Sequence, residues 1–141
     1  MVADSKDDAP GREGPDDREA GSRTASGSLP WPPSANALYR AIGRGRVIKT
    51  KKYREWMTEA QAVLAVDHPH VEPPYSLVIA LTPPNRRRFD IDNRLKGILD
   101  ALELAEWISD DCYVDHIEVV RLTPIREGSQ AAFTLSSFRS A

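Results

Sequence analysis

The chain has 141 residues, a formal net charge of −2, 40% hydrophobic residues and 28% charged residues, which suits one domain with a modest core. No apolar run approaches the ~18 residues that a bilayer span needs, and the acidic, polar N-terminus does not read as a secretory leader. The single cysteine, Cys112, excludes an internal disulfide and a multi-cysteine zinc site, so the expected location is a reducing cytoplasm with no membrane partner.

The charge is unevenly spread. Residues 1–30 hold seven acids and four bases, which leaves the rest of the chain at +1. Residues 31–54 carry Arg40, Arg44, Arg46, Lys49, Lys51, Lys52 and Arg54 and no acid. Such a local concentration of cations fits a polyanion partner and a solvated basic loop equally well.

Residues 1–27 are rich in Asp, Gly, Ser, Pro and Ala and poor in large apolar side chains. They are predicted to be a disordered acidic and polar tail, because they cannot bury enough surface to offset their ordering entropy. Residues 28–141 are then the folded domain. Leu29-Pro30-Trp31-Pro32-Pro33 allows an edge strand or an extended segment but no helix. Ser34 to Lys52 reads as a basic loop with Gly43 and Gly45 as its pliable points.

Tyr53, Trp56, Met57, Ala60, Val63 and Leu64 recur at helical spacing, so residues 51–65 form an amphipathic helix. Tyr75 to Thr82 is nearly continuous in apolar residues, the mark of a central strand. Asp92 or Asn93 is a natural N-cap for the next helix, which lines Leu95, Ile98, Leu99, Leu102 and Ala105 along one face. Residues 107–112 form a turn. Residues 114–122 read as a second strand with Ile117, Val119 and Val120 inside. After a turn at Gly128, residues 131–136 read as a third strand that pairs with it as a hairpin. The order β-α-β-α-β-β defines an α+β fold, a small mixed sheet with helices packed against it.

The chemistry concentrates in Arg86-Arg87-Arg88-Phe89-Asp90-Ile91-Asp92-Asn93-Arg94-Leu95-Lys96 and in Asp110-Asp111. In an extended chain Asp90 and Asp92 project from the same side. Lys96 follows Asp92 by one helical turn, within reach of the same site, and a helix and a turn later Asp110-Asp111 can double back beside Asp90. Asp100, one turn beyond Lys96, is placed to pair with it and orient it. Carboxylates without imidazoles suit a hard cation, Mg²⁺ or Mn²⁺, and not zinc. The adjacent arginines match phosphate, which guanidinium groups bind bidentately. Each piece also has a plainer reading: a helix cap at Asp92-Asn93, a polar turn at Asp110-Asp111, a solvated loop at Arg86–Arg88.

Taken together, Leu29-Pro30-Trp31-Pro32-Pro33-Ser34, Asp90-Ile91-Asp92-Asn93, Lys96, Asp100-Ala101-Leu102, Trp107 and Asp110-Asp111 resemble the RusA family of Holliday-junction resolvases from about residue 28 to residue 122. The resemblance implies a homodimeric, Mg²⁺-dependent endonuclease, with Mn²⁺ as a substitute, that resolves four-way DNA junctions by paired symmetric nicks in recombination and repair. It places the family's catalytic, metal-holding aspartates on Asp90, Asp92 and Asp111 and its functional lysine on Lys96. Arg86, Arg87, Arg88, Lys49, Lys51, Lys52 and Asn36 are the expected DNA contacts. Three departures stand out. Phe89 occupies a position where family members often carry another arginine. Ala35 replaces one of two neighbouring asparagines, of which Asn36 remains. Residues 24–28 are poor in strand formers, which argues against a strand there.

Two other classes share some of these features. A non-cleaving junction-binding protein would need the basic segments but no intact set of acids. A metal-dependent nucleotide hydrolase would use carboxylates, but its small substrate would not need Arg86–Arg88.

Overall fold

The structure is a computed structural model that describes residues 24–125 and 128–139. In chain order it comprises β1 (Thr24–Pro30), β2 (Tyr39–Gly43), β3 (Arg46–Lys49), α1 (Lys51–Leu64), β4 (Tyr75–Thr82), α2 (Leu95–Leu104), β5 (Val114–Arg121) and β6 (Gln130–Ser137). Short 3-10 turns lie at Ala35–Ala37, Ile91–Arg94 and Asp111–Tyr113. Four strands form one mixed sheet in the order β1-β6-β4-β5, and β2 and β3 form a separate hairpin.

The apolar run of β4 takes the central place its composition implied. It runs parallel to β5 and antiparallel to β6, and Leu77, Ile79 and Leu81 are fully buried. They share one core with Tyr53, Trp56, Ala60 and Leu64 of α1 and with Ile98, Ala101 and Leu102 of α2. This is the expected α+β arrangement. Thr50 caps α1, its side chain accepting from the Tyr53 amide. Trp107 is buried and donates its indole N–H to the Leu64 carbonyl at 3.1 Å, which ties the turn after α2 to the end of α1.

The structure corrects several expectations of the fold. Residues 24–27, assigned to the tail, belong to β1, which pairs with β6 along its whole length; residues 1–23 lie outside the described residues. The strand forms despite its weak composition because the Phe133 ring lies over Gly27, where an added Cβ would meet ring carbons at 2.9 and 3.0 Å. The supposed basic loop holds the β2–β3 hairpin, turned by Gly43, Arg44 and Gly45, all at positive φ. Neither Asp92 nor Asn93 caps α2; both lie within the 3-10 turn that precedes it, and no side chain caps the helix.

β5 and β6 form no hairpin. The chain passes from β5 across β4, and β6 inserts between β4 and β1, so among the described residues β5 is an edge strand with only β4 beside it. Its apolar residues are therefore less covered than their pattern implied. Val119 is partly buried, while Ile117 is 38% exposed and Val120 48% exposed.

Candidate functional site

The connection from β4 to β5 carries the candidate chemistry. Pro83 and Pro84 end β4, and the exposed arginines 86, 87 and 88 follow. The side chain of Asn85 accepts from the Arg87 amide at 2.9 Å, an Asx turn that fixes where this run begins. Phe89 then folds inward. Its ring meets Trp31 edge-on, with centroids 5.2 Å apart, and carries the guanidinium groups of Arg121 at 4.7 Å and Arg94 at 5.7 Å. Arg121 also donates to the Phe89 carbonyl at 2.6 Å, and Arg94 to the Pro32 carbonyl at 2.6 Å. The aromatic–proline segment after β1 and the end of β5 thus clamp the residue that precedes the first aspartate.

Asp90 and Asp92 open onto one cavity of about 590 Å³, rimmed by Ser34, Arg88, Arg94 and Arg121. They share it although the chain is not extended through them. Asp90 is extended, but Ile91–Arg94 turns as a 3-10 helix, held by the bond from the Asn93 amide to the Asp90 carbonyl. The carboxylates and guanidiniums of this cavity form no ion pairs within 4 Å among the described residues.

Lys96 points elsewhere. Its ammonium donates to Asp100 Oδ1 at 3.1 Å, as the spacing of the two residues implied, and Asp100 Oδ2 accepts from the Tyr53 hydroxyl at 2.6 Å. The Asp100 carboxylate raises the Lys96 ammonium above its ordinary range, with a smaller push from Asp111. Burial, followed by the bond to Asp100, drives the Tyr53 phenol far up. Lys96 therefore lines a second cavity, with Tyr39, Lys49, Tyr53, Asp100 and Glu103, and does not reach across to Asp92.

The third acidic element lies at the far end of α2. Oxygen atoms of Glu103, Asp110 and Asp111 come within 4.8 Å of one another, the only set of three potential ligands this close among the described residues. Asp110 accepts from the Cys112 amide at 2.9 Å, which caps the Asp111–Tyr113 turn and holds its carboxyl below the usual range. Asp111 does not double back beside Asp90 within one chain. The two flank opposite ends of β5: the Asp111 turn enters it at Val114, and the Phe89–Asp92 segment is fastened to Arg121 at its other end. The parallel pairing of β4 and β5 imposes this separation, because α2 must run back along the sheet between them.

Glu103, Tyr53, Arg94 and Arg121 escaped the reading of the sequence. Glu103 could have been found, since Lys96, Asp100 and Glu103 stand four and three residues apart and share one helical stripe. Tyr53 and Arg121 lie on elements whose packing against the site no local spacing reveals. The remaining expected contacts surround these cavities in different ways. Lys49 sits over the Tyr53 ring at 5.8 Å, Lys51 and Lys52 begin α1, and Asn36 is exposed in the turn after the proline segment.

A mixed α+β domain whose β4–β5 connection sets two carboxylates beside arginines that form no ion pair among the described residues is equipped to act on phosphate esters. Residues 30–129 match the family model for endodeoxyribonuclease RusA. Relatives include a crossover junction endodeoxyribonuclease RusA of Shigella sonnei, 35% identical over 118 residues that cover 80% of this chain and 94% of that protein. One from Enterobacteria phage HK97 is 40% identical over 95 residues, covering 66% and 78%, and one from Escherichia coli K12 is 32% identical over 115 residues, covering 80% and 94%. The chain belongs to the RusA family of endodeoxyribonucleases, enzymes that hydrolyse phosphodiester bonds in DNA. No helix among the described residues is long and apolar enough to cross a membrane.

Proposed function

We propose that this chain resolves four-way DNA junctions by paired, symmetric, metal-dependent nicks, as a cytoplasmic enzyme of DNA recombination and repair whose catalytic domain takes in residues 28–141 together with the strand residues 24–27. One observation carries the reading. Asp90 and Asp92 open onto the same cavity as Arg88, Arg94 and Arg121, so carboxylates that repel phosphate share a wall with guanidiniums that attract it. A divalent cation reconciles the two. The donor set fits a hard ion: carboxylate oxygens, with no imidazole or thiolate among the proposed ligands. Asp90, Asp92 and Asp111 would hold Mg²⁺, or Mn²⁺ in its place, which supplies an activated water and neutralises charge on the scissile phosphate. Arg86, Arg87, Arg88, Lys49, Lys51, Lys52 and Asn36 hold the arms of the junction through its backbone. Lys96, braced by Asp100 and within the field of Asp111, contributes positive charge at that end of the site.

The separation of Asp111 from the other two acids supports a homodimer. Among the described residues nothing pairs with the outer side of β5, along which Tyr113, Ile117, Val120 and Leu122 are each 38–50% exposed, the kind of edge that soluble proteins cover or pair. Its eight residues span about 25 Å at ~3.3 Å each. A two-fold axis through the middle of β5 sets its start against the start of the Asp90–Asp92 segment of the second copy, so each site draws Asp90 and Asp92 from one copy and Asp111 from the other. Two equivalent sites related by a two-fold axis suit a junction that is itself nearly two-fold symmetric.

The test is a labelled synthetic four-way junction incubated with the protein in Mg²⁺, Mn²⁺ or EDTA. Paired nicks at symmetric positions are expected with either metal and none with EDTA. Asp92→Asn is expected to abolish cleavage while binding persists. An intact junction after incubation of wild-type protein with both metals overturns the proposal.

A further inference from the structure

Phe89 stands directly before Asp90, at the mouth of the Asp90–Asp92 cavity. The ring is neutral, yet it gathers two cations at that mouth. The Arg121 guanidinium lies 4.7 Å from its centroid and that of Arg94 5.7 Å, separations at which the ring quadrupole attracts a cation. The two arginines differ in what they have left to offer. Arg94 is wedged between Trp31 and Phe89, donates to Pro32, and has a buried, unpartnered Nε, so it acts as a brace. Arg121 is exposed at the end of β5 and gives one Nη2 bond to the Phe89 carbonyl. Its remaining donors are not engaged by any hydrogen bond among the described residues.

Arg121 also occupies a particular place. It lines the cavity that holds Asp90 and Asp92, and it lines the adjoining groove of about 230 Å³ that holds Arg86, Arg87 and Arg88. With Arg88 it is one of two guanidiniums that line both, and of the two it is the one brought in from a distant strand and seated on the Phe89 ring.

We infer that Arg121 is a phosphate-binding residue of this enzyme, with Phe89 as the platform that aims it, and that the pair supplies from β5 a contact to the DNA backbone beside the Asp90–Asp92 cavity. The inference rests on the proposed action on DNA junctions. It assigns a DNA-contacting role to a strand residue and makes Phe89 a positioning residue.

Junction binding is measured in EDTA, by titration of a labelled four-way junction at several salt concentrations, for wild type, Arg121→Gln, Phe89→Leu and the double variant Phe89→Arg/Arg121→Gln. Loss of a charge-assisted bond to phosphate weakens binding by roughly tenfold, and loss of one phosphate contact lowers the slope of log affinity against log salt by about 0.9. Arg121→Gln is expected to show both effects. Phe89→Leu keeps the charge but loses the aromatic platform, and is expected to fall between wild type and Arg121→Gln. The double variant is expected to regain the affinity and the slope, which a purely structural role for Arg121 would not allow. Wild-type affinity and slope in Arg121→Gln overturn the inference and leave junction resolution standing. An affinity loss without a change in slope, or a double variant no better than Arg121→Gln, also overturns it. Wild-type protein that fails to bind the junction removes the proposed function and this inference together.

Discussion

The Tyr53 hydroxyl reaches Asp100 across 2.6 Å, and the other oxygen of the same carboxylate holds Lys96 at 3.1 Å. A residue of α1 thereby fixes a cation on α2 through one shared acid. Tyr53→Phe keeps the buried ring and removes the donor, so a loss of about 1.5 kcal/mol is expected in chemical denaturation. A change below a few tenths of that figure would show that the hydroxyl contributes nothing to the fold.

The same network gives the protein an alkaline limit. Tyr53 and Lys96 both hold their protons above their ordinary ranges, Tyr53 chiefly through burial and Lys96 chiefly through Asp100. In the unfolded chain they lose protons near pH 10. The stability tied to both groups is therefore level below that point and falls as pH rises above it, while the folded groups are still protonated. Denaturation between pH 9 and 11 is expected to show the decline. Tyrosinate absorbance should show a late-ionising tyrosine among the four in the chain, and Tyr53→Phe should remove it.

Gly27 lies under the Phe133 ring, and that ring meets Trp107 edge-on at 5.5 Å. Gly27→Ala forces the ring aside and is expected to destabilise the protein by about 1–3 kcal/mol. Phe133→Leu in the Gly27→Ala background should recover part of the loss. Unchanged stability in the single variant would mean that the ring gives way freely.

Composite sites can be tested by mixing subunits. Asp90→Asn and Asp111→Asn proteins are each expected to be inactive. If every site takes acids from both copies, refolding the two together yields a heterodimer with one complete site, and single nicks appear on the junction. If each copy holds its own acids, every site in the mixture lacks one, and no cleavage returns.

The basic hairpin and the start of α1 should govern salt dependence and leave the chemistry alone. Lys51 faces Glu55 at 3.8 Å, with both side chains largely exposed, and is expected to contribute less than its neighbours. Replacing Lys49 and Lys52 by Gln should lower the salt slope of junction binding by about 1.8. The rate of cleavage of fully bound junction should not change; a fall in that rate would place these residues in the site itself.

Local patterns in the sequence carried the elements whose periodicity is strong. The 3.6-residue repeat from Tyr53 to Leu64, the apolar run Tyr75–Thr82 and the helix through Leu102 could each be read directly, as could the pairing of Lys96 with Asp100. Long-range pairing could not. Nothing in the strand of residues 114–121 distinguishes a hairpin with the next strand from a parallel pairing with the previous one, so the edge position of Ile117 and Val120 stayed hidden. Gly43-Arg44-Gly45 held a turn signal, but the density of charge around it favoured a loop. The weak composition of Thr24–Ser28 concealed a strand because its partner, Phe133, lies more than 100 residues away. The candidate acids could be picked out by type and spacing, whereas their division between two ends of α2 followed only from the direction of β5.

Asp90, Asp92, Lys96, Asp111 and the run Arg86–Arg88 all travel on one continuous connection between β4 and β5. The β2–β3 turn stands clear of it, and a Cβ added at Gly43 or Gly45 would meet nothing within 4 Å. New chain termini opened at this turn by circular permutation, or a fluorescent reporter inserted there, would leave that connection covalently whole. The turn is thus a natural handle for following the enzyme on DNA in real time.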